Sequence, residues 1–163
     1  MLIDFKRLFI KQKELDLAIQ ANHHVTYEET TERRFLALFV EIGELANATR
    51  CFKYWSNKPS EAREIVMDEY ADGLHFLLSL GIANNIEETS FLYESSDEDL
   101  SILFTKMYRL ISNFKEKINE DNYRLCFENY LKIAYKLKMN EEDIFNSYLL
   151  KLGENYHRQE TNY

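Results

Sequence analysis

Four glycines and a single proline in 163 residues leave this chain few places to break a helix or turn a hairpin. Long uninterrupted helices are the natural consequence, and the apolar residues recur with the matching period. Leu2, Phe5, Leu8, Phe9, Gln12, Leu15 and Ile19 follow one another at three- and four-residue steps, which predicts a first helix over Leu2 to Gln20 with one buried face. Phe35, Leu38, Phe39, Ile42, Leu45 and Phe52 predict a second over Glu32 to Tyr54, with Thr30 or Thr31 as its cap. The stretch Ser56 to Ser60 is the clearest break. Either Pro59 enters the first turn of a third helix over Glu61 to Leu80 or Ser60 caps it, and Gly81 is its natural stop.

Ala83 to Asp97 reads as a connection docked to the core by Phe91, Leu92 and Tyr93. Ser96 then caps a fourth helix that opens on Asp97, Glu98 and Asp99 and runs to Ile118. A fifth covers Asn122 to Leu137. Asn140 and the acidic turn Glu141, Glu142, Asp143 lead into a sixth near Ile144 to Leu152. No repeat, low-complexity tract or linker interrupts this order. The fold class expected is all-α, a single bundle of about six helices over residues 1–163.

Composition narrows the function. Apolar residues make up 45% of the chain, with eleven Phe and eleven Tyr, enough for a real core. The formal charge is −8, from 20 basic and 28 acidic side chains, and no basic stripe is evident, so nucleic acid is not an expected partner. No run of about 18 uncharged apolar residues appears, so no membrane partner is expected either. The start, MLIDFKRLF, lacks the apolar run of a signal peptide. With Cys51 and Cys126 too few for a disulfide framework, the expected setting is cytoplasmic and reducing.

Two acidic pairs stand out. Glu41 and Glu44 lie on the second predicted helix, Glu69 and Asp72 on the third, each spaced i, i+3 and so on one side of its helix. Both interrupt apolar stripes, the first beside Leu38, Leu45 and Ala48, the second beside Ile65, Val66, Gly73 and Phe76. Either pair alone also fits a solvated helix face. Four converging carboxylates would repel one another and resist burial, and a hard divalent cation, Mg²⁺ or Mn²⁺, resolves both problems. Neither pair contains His or Cys, which argues against zinc. Gly43 and Ala71, inside the pairs, would let the two helices approach closely. Asp68 reads as a surface acid or as support behind Asp72.

The stretches ALFVEIGELANATRCFKYWS (Ala37 to Ser56), DEYADGLHFLLSLGI (Asp68 to Ile82) and KLGENYHRQETNY (Lys151 to Tyr163) resemble the all-α dimeric dUTP pyrophosphatases, within the MazG-like nucleotide pyrophosphatases. The resemblance implies a homodimer and metal binding by Glu41, Glu44, Glu69 and Asp72, which also form the catalytic set. It places Gln12 and Asp16 in a base-recognition motif, where members often have Asn at the second position. It places His75 and Phe76 in the base pocket, and Lys53 and Trp55 in the motif after the second helix. Lys151, Asn155 and Arg158 match phosphate-contacting residues, while Leu152 and Gly153 depart from the more polar residues usual there.

The residue chemistry agrees with these roles. Gln12 offers a donor and an acceptor, the complement of a uracil edge. Lys151, Asn155 and Arg158 recur every three or four residues and would oppose a metal-bridged polyphosphate. The reaction that the resemblance implies is hydrolysis of dUTP to dUMP and pyrophosphate, with dUDP also accepted, and Glu44 is the expected proton acceptor. Which phosphorus is attacked stays open. No G-x-x-x-x-G-K-[ST] motif of a P-loop ATPase is present. The rival readings are a broader or dCTP-selective pyrophosphatase, and a helical regulatory protein that has kept the fold without the chemistry.

Overall fold

The computed structural model describes residues 1–162, so Tyr163 of the C-terminal motif lies outside the described residues. Within them the chain forms six helices and a small two-stranded sheet: β1 Leu2–Asp4, α1 Lys6–His23, α2 Tyr27–Thr49, α3 Arg63–Ala83, β2 Ser90–Leu92, α4 Leu100–Glu116, α5 Glu120–Lys136 and α6 Glu141–Glu160. The all-α expectation is met. Cys51 is half-buried and Cys126 buried, both as free thiols.

The start of the chain departs from the predicted helix. Leu2 is exposed while Ile3 and Phe5 are buried, so the local period is two, and residues 2–4 form a strand. It pairs antiparallel with β2, Ile3 opposite Phe91, inside the segment read as a connection. The Phe91 ring stacks on Phe127 at 4.0 Å, and Phe5 lies 4.8 Å from Phe127, so this short ladder anchors both ends of α1's entry to α5.

Helix limits also move. Thr26, not Thr30 or Thr31, caps α2: its hydroxyl accepts from Glu29 N–H while the Glu29 carboxylate accepts from Thr26 N–H at 2.8 Å. Thr30 and Thr31 instead donate to the carbonyls of Thr26 and Tyr27 at 2.7 Å, one turn back. Helix α2 ends at Thr49 because Arg50 turns left-handed, so Cys51 to Tyr54 lie outside it. Neither Pro59 nor Ser60 opens α3, whose cap position is Ala62 with no side-chain bond. Asp99 rather than Ser96 caps α4, and α5 starts earlier, capped by Asn119. Asn140 does cap α6, in a reciprocal box with Asp143, and that helix runs to Glu160.

Helix α3 packs against α1, α2, α5 and α6, and Gly81 lies within it rather than ending it. The reason is space. A Cβ on Gly81 would stand 2.5 Å from the Tyr123 hydroxyl and 2.7 Å from its Cζ, and that hydroxyl donates to Leu77 O at 2.7 Å. Gly43 likewise faces the Tyr108 hydroxyl of α4, 3.0 Å from where its Cβ would be, so it makes room for a tyrosine and not for α3. Ala71 is fully buried.

Gly81→Ala tests this packing. Alanine gains about 1 kcal/mol of helix propensity, but forcing the buried Tyr123 ring aside costs about 1–3 kcal/mol. We expect a lower urea midpoint. An unchanged or higher midpoint would show that displacing Tyr123 costs no more than the helix propensity gained.

Candidate functional site

The α2–α3 seam brings one carboxylate oxygen each of Glu41, Glu69 and Asp72 within 4.8 Å of one another. Glu41 Oε2 and Glu69 Oε2 are buried and accept no hydrogen bond from any described residue. Glu44 lies outside this trio, but its carboxylate is close enough to help raise Glu41. Burial, then the nearby Asp72, Glu44 and Glu69 carboxylates, push the Glu41 carboxyl up to about 8. Glu69 is raised by burial and by Asp72 and Glu44. Burial also raises Asp72, although Lys151 and Arg158 counter it.

An all-oxygen cluster with two bare buried lone-pair atoms and mutually repelling charges fits a hard divalent cation. The trio is therefore able to coordinate Mg²⁺ or Mn²⁺. Water alone would leave the repulsion uncompensated.

Beside the trio opens a cavity of about 650 Å³, lined from four helices. Helix α1 contributes Gln12 and Asp16, α2 contributes Glu41 and Glu44, α3 contributes Asp72, His75 and Phe76, and α6 contributes Asn155 and Arg158. Nine of the sequence-predicted residues thus share one cavity. Four are placed elsewhere among the described residues. Glu69 belongs to the trio without lining the cavity. The Lys151 ammonium is buried among carboxylates, 2.8 Å from Asp68, 3.3 Å from Asp72 and 3.2 Å from Glu154. Burial opposes its charge, but those acids outweigh it and hold the ammonium protonated. Asp68 is accordingly half-exposed and tied to Asp72 through Lys151. Lys53 and Trp55 sit in the turn after α2, where Trp55 is 64% exposed and packs edge-on against Phe52 and Tyr54.

Away from the acids the cavity changes character. Asp16 is buried, and Gln12 Nε2, the Tyr27 hydroxyl and the Ser79 hydroxyl donate to it at 2.9, 3.0 and 2.8 Å. Ser79 in turn accepts from Arg34 Nε at 2.9 Å. Burial raises the Asp16 carboxyl, against the pull of those donors and of Arg34. His75 is buried and stacks on Tyr148 with ring centroids 4.1 Å apart. Its Nε2 lies 3.4 Å from the Tyr148 carbonyl, which can only accept, so Nε2 carries the proton and Nδ1 is a bare buried acceptor. Burial pushes the imidazole down to about 3, so His75 is neutral at physiological pH.

Sequence reasoning missed Arg33, Arg34 and Ser79 among the lining residues. A signal was present. Asp72, His75, Phe76 and Ser79 continue one α3 stripe by a turn, and Arg33, Ala37, Glu41 and Glu44 do so on α2. A cation in such a stripe gains meaning once the acids beyond it are known to face a cavity.

A family model described as dUTPase matches residues 4–163. The chain belongs to this dUTPase family. A search of curated proteins gives no match. Family membership implies a nucleotide substrate, and with the acidic trio it supports a metal-dependent enzymatic activity of the nucleoside-triphosphate pyrophosphatase type. Among the described residues no helix is long and apolar enough to cross a membrane.

Because the folded chain raises Glu41 from 4.5 to about 8, it holds that proton more tightly than the unfolded chain does. The resulting stability is complete below the unfolded value and is lost as pH rises through the folded one. Metal-free protein should therefore melt at lower temperature at about pH 9 than at about pH 6. Added Mg²⁺ should restore the loss, and Glu41→Gln should flatten the slope. A flat profile in the metal-free wild type would contradict the electrostatic picture of the trio.

Proposed function

We propose that this protein is a divalent-metal-dependent dUTP pyrophosphatase that converts dUTP to dUMP and pyrophosphate and also accepts dUDP. One observation carries it: two carboxylates of the trio, Glu41 and Asp72, and a hydrogen-bonding pocket around Gln12 and His75 line a single cavity in a chain of the dUTPase family. Ser79, which holds Asp16, is seven residues beyond Asp72 on α3, a separation of about 10 Å along the axis. A sugar fits between the two ends.

In this reading Glu41, Glu44, Glu69 and Asp72 hold Mg²⁺, with Mn²⁺ as a substitute. When bound, the metal neutralises triphosphate charge and lowers the pKa of a water at the phosphorus. The chain's own residues do the rest. Glu44, which lines the cavity, accepts the proton of the attacking water on a carboxylate oxygen. Lys151 fixes Asp72 and Asp68 from behind rather than reaching into the cavity. Asn155 and Arg158 contact the phosphates from α6. Gln12 presents a donor and an acceptor to the uracil edge, and Phe76 and neutral His75 flank the ring without adding charge. Asp16 acts mainly through Gln12, since three protein donors already occupy it. Lys53 and Trp55 belong to the proposal on the sequence resemblance alone, as does the homodimer, which light scattering would check. A cytoplasmic setting is part of the same reading.

Turnover of the deoxynucleoside triphosphates, with and without Mg²⁺, tests the assignment: dUTP should be preferred, and chelation should stop release of pyrophosphate. Preference for dCTP, or uniform rates, would replace it with a broader activity. Glu41→Ala or Asp72→Ala should lower kcat by roughly 10²–10³-fold or more while circular dichroism stays unchanged. Near-wild-type turnover in either variant would remove the carboxylates from the mechanism.

A further inference from the structure

The amide of Gln12 is held at both of its polar atoms. Gln12 Nε2 donates to Asp16 Oδ1 at 2.9 Å, and Gln12 Oε1 accepts from the Tyr148 hydroxyl at 2.9 Å. All four groups are buried, and Tyr148 comes from α6, 136 residues away in sequence. The Tyr148 hydroxyl also lies 3.5 Å from Leu8 O, a weaker alternative acceptor.

The Asp16 contact excludes the flipped amide, and the Tyr148 hydroxyl disfavours it further, because accepting from a flipped Nε2 would leave its hydrogen only the longer contact to Leu8 O. Rotation by half a turn would set Oε1 against Asp16. Ser79 Oγ accepts a hydrogen bond from Arg34 Nε and directs its own hydrogen at Asp16 Oδ2, and Tyr27 directs a second. Asp16 is thus surrounded by donors and serves as an acceptor, which a flipped Oε1 could not satisfy. The same Tyr148 ring stacks on His75, so a single side chain supports both residues from behind the cavity wall.

We propose that Tyr148 is a positioning and specificity-determining residue: its hydroxyl locks the Gln12 amide in the orientation that leaves one N–H and one lone pair in the order a uracil edge accepts. Uracil presents a ring N–H between two carbonyls. Cytosine presents a ring acceptor beside an amino donor, the reversed pattern, which the flipped amide would satisfy. A lock on the amide therefore discriminates between the two bases without any steric contact. This inference rests on the dUTP assignment above.

Tyr148→Phe removes the hydroxyl and keeps the ring that stacks on His75, so the fold is retained. With the full chain and Mg²⁺, kcat and KM are measured for dUTP and dCTP in wild type, Tyr148→Phe, Gln12→Ala and the double variant. We expect the ratio of kcat/KM for dUTP over dCTP to fall roughly tenfold in Tyr148→Phe, the worth of about one buried hydrogen bond. The loss should appear more in KM for dUTP than in kcat. In the Gln12→Ala background the same substitution should change selectivity by less than about twofold, because the group it positions is gone. Unchanged selectivity in Tyr148→Phe overturns the proposal. So does an equal loss in both backgrounds, which a purely structural tyrosine would give. If wild type prefers another nucleotide, the dUTP assignment fails. The cycle, run with the preferred nucleotide against dUTP, then still decides whether Tyr148 acts through Gln12.

Discussion

Helix α3 is enclosed by α1, α2, α5 and α6, and it carries Glu69 and Asp72 into that enclosure opposite Glu41. Carboxylates that close, in a medium poorer than water, raise one another's pKa and resist burial together. The rest of the molecule is arranged around that constraint. On the α5 side the helix is sealed by Tyr70 and Tyr130, stacked at 4.3 Å, each hydroxyl donating to the other residue's backbone carbonyl. On the α6 side Lys151 supplies one buried cation to Asp72 and Asp68. The remaining side stays open as the cavity, which Glu41, Glu44 and Asp72 line.

The same low dielectric gives the other end of the cavity its opposite character. His75 is held neutral, and Asp16 is the one acid among groups that all donate to it. A pocket whose one acid is surrounded by donors suits an uncharged base, and an acidic cluster able to hold a cation suits a polyphosphate. Both ends follow from how α3 is buried: positions facing the α2 seam keep unpaired oxygens, while His75 and Ser79, a turn or two later, meet acceptors from α6 and α1 and a donor from α2. Arg34 illustrates the distinction. It lines the cavity, yet its guanidinium is engaged by Ser79 and Thr30 and lies over the Tyr27 ring, which makes it a brace for Asp16.

Much of this was legible in the sequence because helices advertise their buried faces. The apolar stripes and the Asn140 cap identified elements that the structure contains, and the paired acids identified the seam. The misreadings have physical causes. Ile3 and Phe5 alternate with exposed neighbours, but Leu2 also fits a helical stripe, and only the partner strand at Phe91 separates the two periods. Gly81 has the composition of a helix stop, and Tyr123, forty-two residues later, explains why it is not one. For Lys151 the sequence leaves out depth. Helical spacing places it on a face with Asn155 and Arg158, but spacing says nothing of the depth at which Asp68, Asp72 and Glu154 intercept it. Tyr148 carried no local signal, since its partners Gln12 and His75 lie far away in sequence.

Three of the four glycines explain how the acids come to be placed so closely. Beside Gly43, Gly73 and Gly81 stand the hydroxyls of Tyr108, Tyr130 and Tyr123. Each hydroxyl donates to a carbonyl about one turn earlier on the same helix: Phe39 O at 3.1 Å, Tyr70 O at 2.6 Å and Leu77 O at 2.7 Å. A side chain at the glycine would fill the notch that lets the phenol reach that carbonyl. The bond is directional, so it fixes the helix along its axis as well as in distance, which apolar contacts do poorly. Gly43 lies between Glu41 and Glu44, and Gly73 directly follows Asp72. The axial positions of α2 and α3 are therefore pinned within one residue of the carboxylates. A slip of one residue would turn the acids by about 100° away from the seam. Tyrosines on α4 and α5 thus hold a register that the mutually repelling acids would otherwise oppose.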